Sequence, residues 1–172
     1  MRRQFEINLF GAINVARTIL PAMRRQRSGL VITISSVNGL VSNAGGSIYS
    51  ASKFALEGWM EGLAEKIALL GIRSLIVEAG MMRTNFLDPS TAQQGQIEIA
   101  DYAEAVDGFR TFIAETHGAQ QNNPAALAAL IVAEASSSGP ARRLLFGADA
   151  HEWASAKCRQ LAADIDASSA RA

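Results

Sequence analysis

Residues 29–53, Gly29-Leu-Val-Ile-Thr-Ile-Ser-Ser-Val-Asn-Gly-Leu-Val-Ser-Asn-Ala-Gly-Gly-Ser-Ile-Tyr-Ser-Ala-Ser-Lys53, decide the fold of this 172-residue chain. Leu30 to Ile34 is a short, continuous apolar run rich in β-branched residues, which predicts a strand buried on both faces of a parallel sheet. Ser35 and Ser36 end it. In open α/β sheets the reactive crevice lies beyond the carboxyl ends of the strands, so Ser36 stands where such a site forms; two serines there also serve simply as turn residues.

Downstream, Tyr49, Lys53, Leu56, Met60, Leu63 and Ile67 recur at steps of 4, 3, 4, 3 and 4, the narrow apolar stripe of a helix. Four helical residues rise about 6 Å, so Tyr49 and Lys53 share a face. An ammonium on an apolar stripe is costly unless it is paired, solvated or used. A phenol, with an ordinary pKa of about 10, moves protons poorly at neutral pH unless a cation stabilises its phenolate. Lys53 can supply that charge, and the Ser36 hydroxyl can hold a carbonyl or alcohol oxygen beside the phenol.

Ser36, then Tyr49 thirteen residues later and Lys53 four further on, resemble the signature of the short-chain dehydrogenases/reductases. Asn8, in Phe5-Glu-Ile-Asn-Leu-Phe-Gly-Ala12, matches the family's helix Asn, which completes a tetrad by ordering a water near the Lys. Phe5, Leu9, Ala12, Ala16, Ile19 and Met23 give that region its own helical stripe, with Asn8 beside it. Ile72-Arg-Ser-Leu-Ile-Val-Glu-Ala-Gly-Met-Met-Arg-Thr-Asn-Phe86 is similar to the family's next strand, followed by Pro-Gly and a Thr four residues on. Gly80 and Thr84 match; Ala79 replaces the Pro, which loosens the turn without removing a donor or a charge. By resemblance, Thr84 and the backbone near Met82 face the nicotinamide carboxamide. Arg142-Arg-Leu-Leu-Phe-Gly-Ala-Asp-Ala150 resembles the family's last strand, so the likeness covers most of the chain.

The resemblance implies an α/β fold class: a partial Rossmann-type, three-layer fold with a parallel sheet of about three strands and flanking helices. It forms one partial domain over residues 1–172, with a substrate loop at about 81–117. The implied activity is NAD- or NADP-dependent interconversion of an alcohol and a ketone. In it Tyr49 is the acid/base, Lys53 lowers its pKa and holds the nicotinamide ribose, Ser36 orients the substrate oxygen, and Asn8 supports the proton relay. Gly80, Met82 and Thr84 join Tyr49 and Lys53 in binding the cofactor.

The family grips the pyrophosphate with an N-terminal TGxxxGxG turn, and nothing in this chain matches it. Asn43-Ala-Gly-Gly-Ser47 lies between the Ser36 strand and the Tyr49 helix and reads as a flexible loop near the substrate. In the family's strand order, 3-2-1-4-5-6-7, this chain supplies strands resembling 5, 6 and 7, and the Leu30–Ile34 strand becomes an apolar edge. Two explanations fit: Met1 is an internal residue of a longer product, or the reading frame is truncated. The alternative to an enzyme is a non-catalytic remnant that associates with a full-length relative through the Asn8 and Tyr49 helices, which in the family pair across a two-fold interface.

Sixteen Lys and Arg balance sixteen Asp and Glu, so no basic field recruits nucleic acid or an anionic membrane. No stretch reaches the about 18 apolar residues of a membrane span, and a cytoplasmic chain is expected. A single Cys158 makes no internal disulfide and no thiolate zinc site; no metal site is expected, and His117 and His151 receive no role. Residues 87–96 read as a variable lid over a small-molecule alcohol or carbonyl substrate. Tyr102, Phe109 and Phe112 follow on a helix, where they either touch an apolar substrate or pack the helix. Asn123-Pro124 opens an Ala-rich helix, Gly139-Pro140 precedes a strand over Leu144–Phe146, and the helical tail, with Trp153 and Leu161 among its apolar residues, frays from Ala167.

Overall fold

The alternation of apolar strand and amphipathic helix resolves, in a computed structural model of the chain, into a sheet with helices on both faces. The structure describes residues 1–88, 99–137, 139 and 142–171. Among the described residues, strands β1 (Gly29–Ile34), β2 (Ile72–Ala79) and β3 (Arg143–Phe146) pair in parallel in the order β1-β2-β3. Parallel neighbours need crossovers. Helix α3 (Ser47–Ala68) carries the first, and α4 (Ala103–Thr116) and α5 (Pro124–Ser136) lie in the second. A short α1 (Arg2–Phe5), a π-helical turn (Glu6–Phe10) and α2 (Gly11–Gln26) precede β1, and α6 (Ala148–Ser169) follows β3. The three-layer α/β fold expected from the sequence is the fold observed.

Side chains of β2 alternate between two cores, as the pleat requires. Ile72 and Ile76 join Val31, Met60 and Ile67 on one face, with Leu20, Met23, Trp59 and Leu63 closing the edge of the cluster. Leu75, Val77 and Ala79 meet Leu127 on the other, with Leu30, Ile32, Ile131 and Leu144 around them. Leu56, Met60 and Ile67 of the Tyr49 stripe are buried as its periodicity predicts.

One expectation needs correction. The Leu30–Ile34 strand is not buried on both faces: Val31 and Thr33 are buried, Leu30 and Ile32 are half-buried, and Ile34 is 53% exposed. The α5 side chains covering that face, Leu127 and Ile131, centre on Leu75 and Val77 of β2, and β1 forms one edge of the sheet. Nor does the tail fray at Ala167, since α6 continues to Ser169; its buried residues, Ala150 and Ala154, lie in the first two turns, and Leu161 is exposed. The Asn123 side chain accepts a 2.9 Å bond from the Ala125 N–H and caps α5, with Pro124 in its first turn. Residues 89–98, which include most of the lid read over 87–96, and Pro140 lie outside the described residues.

The sequence reading passed over a buried charge cluster behind the sheet. Glu78 of β2 and Glu57 of α3 are both buried, and the Arg143 guanidinium donates from Nη1 to Glu57 Oε2 at 2.7 Å and to Glu78, and from Nη2 to Glu61. Burial, reinforced by the charge of Glu57, raises the Glu78 pKa to about 7 against the pull of Arg143. No helix among the described residues is long and apolar enough to cross a membrane.

Candidate active site at the carboxyl ends of the strands

Ser36 leaves the end of β1 in an extended conformation, with φ −161° and ψ 159°, and caps the turn Val37–Gly39. Its Oγ accepts from the Asn38 N–H at 3.1 Å and donates to the Ala79 carbonyl at 3.4 Å. The Ser36 hydroxyl also faces the phenol of Tyr49 closely enough to act on its pKa. Thus the hydroxyl that faces Tyr49 also takes the turn role left open by the sequence. A second tie fixes the turn to α3, where Asn38 Nδ2 donates to Ser50 Oγ at 3.2 Å.

Helix α3 starts beside this turn and points Tyr49 and Lys53 at it. Lys53 Nζ donates to the Ile34 carbonyl at the end of β1 at 3.0 Å and stands 5.9 Å from the centroid of the Tyr49 ring. That ring also meets Phe86, with centroids 5.3 Å apart and planes tilted by 53°. Burial raises the phenol pKa above its ordinary value, and the Ser36 hydrogen bond only partly offsets it. Burial lowers the pKa of Lys53, with the charge of Glu57 acting in the other direction. For Tyr49, desolvation outweighs the Ser36 hydrogen bond, and the neutral phenol is the favoured form in this structure.

Asn8 sits in the π-helical turn, a distortion frequently found at functional sites. Its Nδ2 donates to Ser52 Oγ at 2.9 Å, and the Ser52 hydroxyl donates in turn to the Tyr49 carbonyl at 2.7 Å. Asn8 is thereby held against α3 at the residue before Lys53.

The segment after β2 approaches from the third side. Gly80 N–H donates to the Phe146 carbonyl at 2.9 Å. Glycine is required there by space, since a Cβ would overlap the carboxylate of Asp149. Met82 forms an isolated parallel bridge with Asn122, and Thr84 Oγ accepts from the Phe86 N–H at 3.3 Å to cap the turn Asn85–Leu87. Within the largely exposed Asn43–Ser47 segment, Gly45, at φ +80°, lies against the ring of Phe109, where a Cβ has no room. Tyr102 and Phe112 are exposed.

The structure thus gathers Ser36, Tyr49, Lys53 and the Gly80–Thr84 segment at one end of the sheet and attaches Asn8 through Ser52. Sequence reasoning missed Asn38, Ser52, Phe86, Asn122 and Asp149. An acidic residue in the first turn of the last helix was a visible cue for Asp149; Asn122 carried none, because its partners are distant in the chain. The donor set suits a nicotinamide nucleoside: the Ile34 carbonyl is the hydrogen-bond partner of Lys53 among the described residues, leaving ammonium donors for ribose hydroxyls, and the Thr84 hydroxyl can donate to a carboxamide. Among the described residues, no group of three His, Cys, Asp or Glu could hold a metal ion.

Comparison with known proteins gives this geometry a context. Residues 1–95 match the family model described as short chain dehydrogenase. The chain is similar to the oxidoreductase BOA17 of Botryotinia fuckeliana (strain B05.10), with 31% identity over 160 residues that cover 93% of this chain and 58% of that protein. The crystal structure of a short-chain dehydrogenase from Streptomyces avermitilis superposes with a TM-score of 0.81 at 36% identity, covering 96% of this chain and 59% of that one. A short chain dehydrogenase from Burkholderia cenocepacia J2315, solved in complex with NADP, gives a TM-score of 0.60 at 26% identity, covering 99% of this chain and 57% of that one. The chain therefore spans less than two thirds of each relative's length.

Proposed function

Because the chain belongs to the short-chain dehydrogenase/reductase family, we propose that it carries the proton-transfer part of an NAD(P)-dependent oxidoreductase interconverting a small-molecule alcohol and ketone, working within a longer chain. The observation that carries this reading is the convergence of the Tyr49 phenol, the Ser36 hydroxyl and the Lys53 ammonium at the carboxyl ends of the strands. Cofactor of the NAD or NADP type supplies the hydride when bound. Tyr49 supplies the proton: burial keeps the phenol neutral, so in the reduction direction it is already loaded as a donor. Ser36 holds the substrate oxygen next to it, and Lys53 keeps a positive charge near the phenolate left behind. Tyr49, Lys53, Gly80, Met82 and Thr84 are the cofactor-binding residues of this reading, and Asn8 acts on Lys53 through Ser52.

In the same reading residues 1–172 are one partial Rossmann-type domain, with the substrate side formed within residues 81–117. Copies associate through the helices bearing Asn8 and Tyr49, and the protein works in the cytoplasm. The likeness to an NADP complex and the donor set around Lys53 support a nicotinamide cofactor. The test is carbonyl reduction across a panel of ketones with NADH or NADPH, using wild type and Tyr49→Phe. Loss of about 100-fold or more in kcat is expected for the variant. Undiminished reduction by Tyr49→Phe overturns the assignment.

A further inference from the structure

Asp149 lies in the first turn of α6, outside the Ser36–Tyr49–Lys53 group, and its carboxylate is fully engaged. Oδ2 accepts from the Met81 N–H at 2.6 Å, and Oδ1 accepts from Asn122 Nδ2 at 2.9 Å. The same Asn122 nitrogen donates its other hydrogen to the Met81 carbonyl at 3.0 Å, and the Asn122 backbone carbonyl accepts from the Arg83 N–H at 2.9 Å. Two residues distant in sequence thus take up both backbone groups of Met81 and the N–H of Arg83, on either side of Met82.

The junction is built for a carboxylate. Two donors face its two oxygens, and an amide at that position would turn a donor toward the amide of Asn122. A negative charge in the first turn of α6 also suits the helix dipole. Space is cleared on both sides, because a Cβ on Gly80 or on Gly147 would overlap the Asp149 carboxylate, and one on Gly147 would overlap the Asn122 amide as well.

We infer that Asp149 and Asn122 are positioning residues: a clamp that sets the backbone of Gly80–Thr84 and thereby the grip on the nicotinamide end of the cofactor. The cofactor side of this inference rests on the function proposed above; the clamp itself does not. Its chemistry is charge-assisted hydrogen bonding from a side chain to a loop backbone, in which a lost partner leaves a donor unmatched.

The test uses the whole chain and two readouts. Amide hydrogen exchange at Met81 and Arg83 is expected to accelerate about tenfold or more in Asp149→Asn, while exchange in α3 stays unchanged. Asn122→Ala is expected to reproduce the pattern, so the clamp is judged even if one variant folds poorly. Wild-type exchange at Met81 in both single variants overturns the clamp. The second readout is NADPH titration followed by the nicotinamide proton resonances, in which Asp149→Asn weakens binding about tenfold. Accelerated exchange with unchanged NADPH affinity overturns the positioning role. Failure of wild type itself to bind NADPH overturns the cofactor side of the inference, and the exchange result still decides the clamp.

Discussion

Asn8 and Ser52, forty-four residues apart, are joined by a 2.9 Å hydrogen bond that fixes the π-helical turn before α2 to the helix carrying Tyr49 and Lys53. Removing it by Asn8→Ala leaves the Ser52 hydroxyl its bond to the Tyr49 carbonyl, so the fold is expected to lose only about 1 kcal/mol. If Asn8 acts through α3, as proposed, kcat falls by more than that loss of stability accounts for. Thermal unfolding and reduction kinetics on the same sample check both halves; unchanged kcat removes Asn8 from the relay.

Tyr49 carries a pH prediction. Because burial raises its pKa, the phenol is neutral throughout the physiological range and ionises only above the ordinary phenol value near 10. An ultraviolet titration of wild type minus Tyr49→Phe isolates this group, and a difference signal appearing below pH 9 contradicts it.

Lys53→Met is expected to abolish most of the activity while costing roughly 1 kcal/mol of stability, the net worth of one hydrogen bond to the Ile34 carbonyl. Lys53→Arg keeps the charge but not the compact donor geometry and is expected to fall between the two. Denaturant unfolding alongside kcat separates these effects.

Glu78 makes stability depend on pH near neutrality. Its pKa rises from 4.5 to about 7 on folding, so between those values the native state binds more protons than the unfolded chain. Stability from this group is therefore fully present below pH 4.5 and is lost as pH rises through 7, by an amount on the order of 1–3 kcal/mol. Glu78→Gln removes that dependence. Unfolding free energies of both proteins at pH 5 and pH 8 measure it; equal slopes contradict the shift.

Gly80→Ala forces a methyl group into the Asp149 carboxylate and is expected to destabilise the chain by about 1–3 kcal/mol. Gly58→Ala, where a Cβ meets open space within α3, is the control and is expected to stabilise by about 0.5–1 kcal/mol. Melting temperatures moving in opposite directions bear this out.

Local sequence pattern determined the elements that matter most. The apolar run Leu30–Ile34 required a strand, the stripe from Tyr49 to Ile67 required a helix, and Asn123-Pro124 marked a helix start, because each is governed by backbone geometry within a few residues. Spacing likewise put Tyr49 and Lys53 on one face. The tertiary structure decided what lies across from them. It decided that β1 is covered unevenly, that burial raises the pKa of the phenol, and that Asn8 reaches α3 through Ser52. It also revealed Glu57, Glu78 and Arg143 as one buried cluster, and Asp149 and Asn122 as joint holders of the Gly80–Thr84 segment. Each of these depends on desolvation or on hydrogen bonds between residues tens of positions apart, and only packing the sheet between its helices brings such groups within reach.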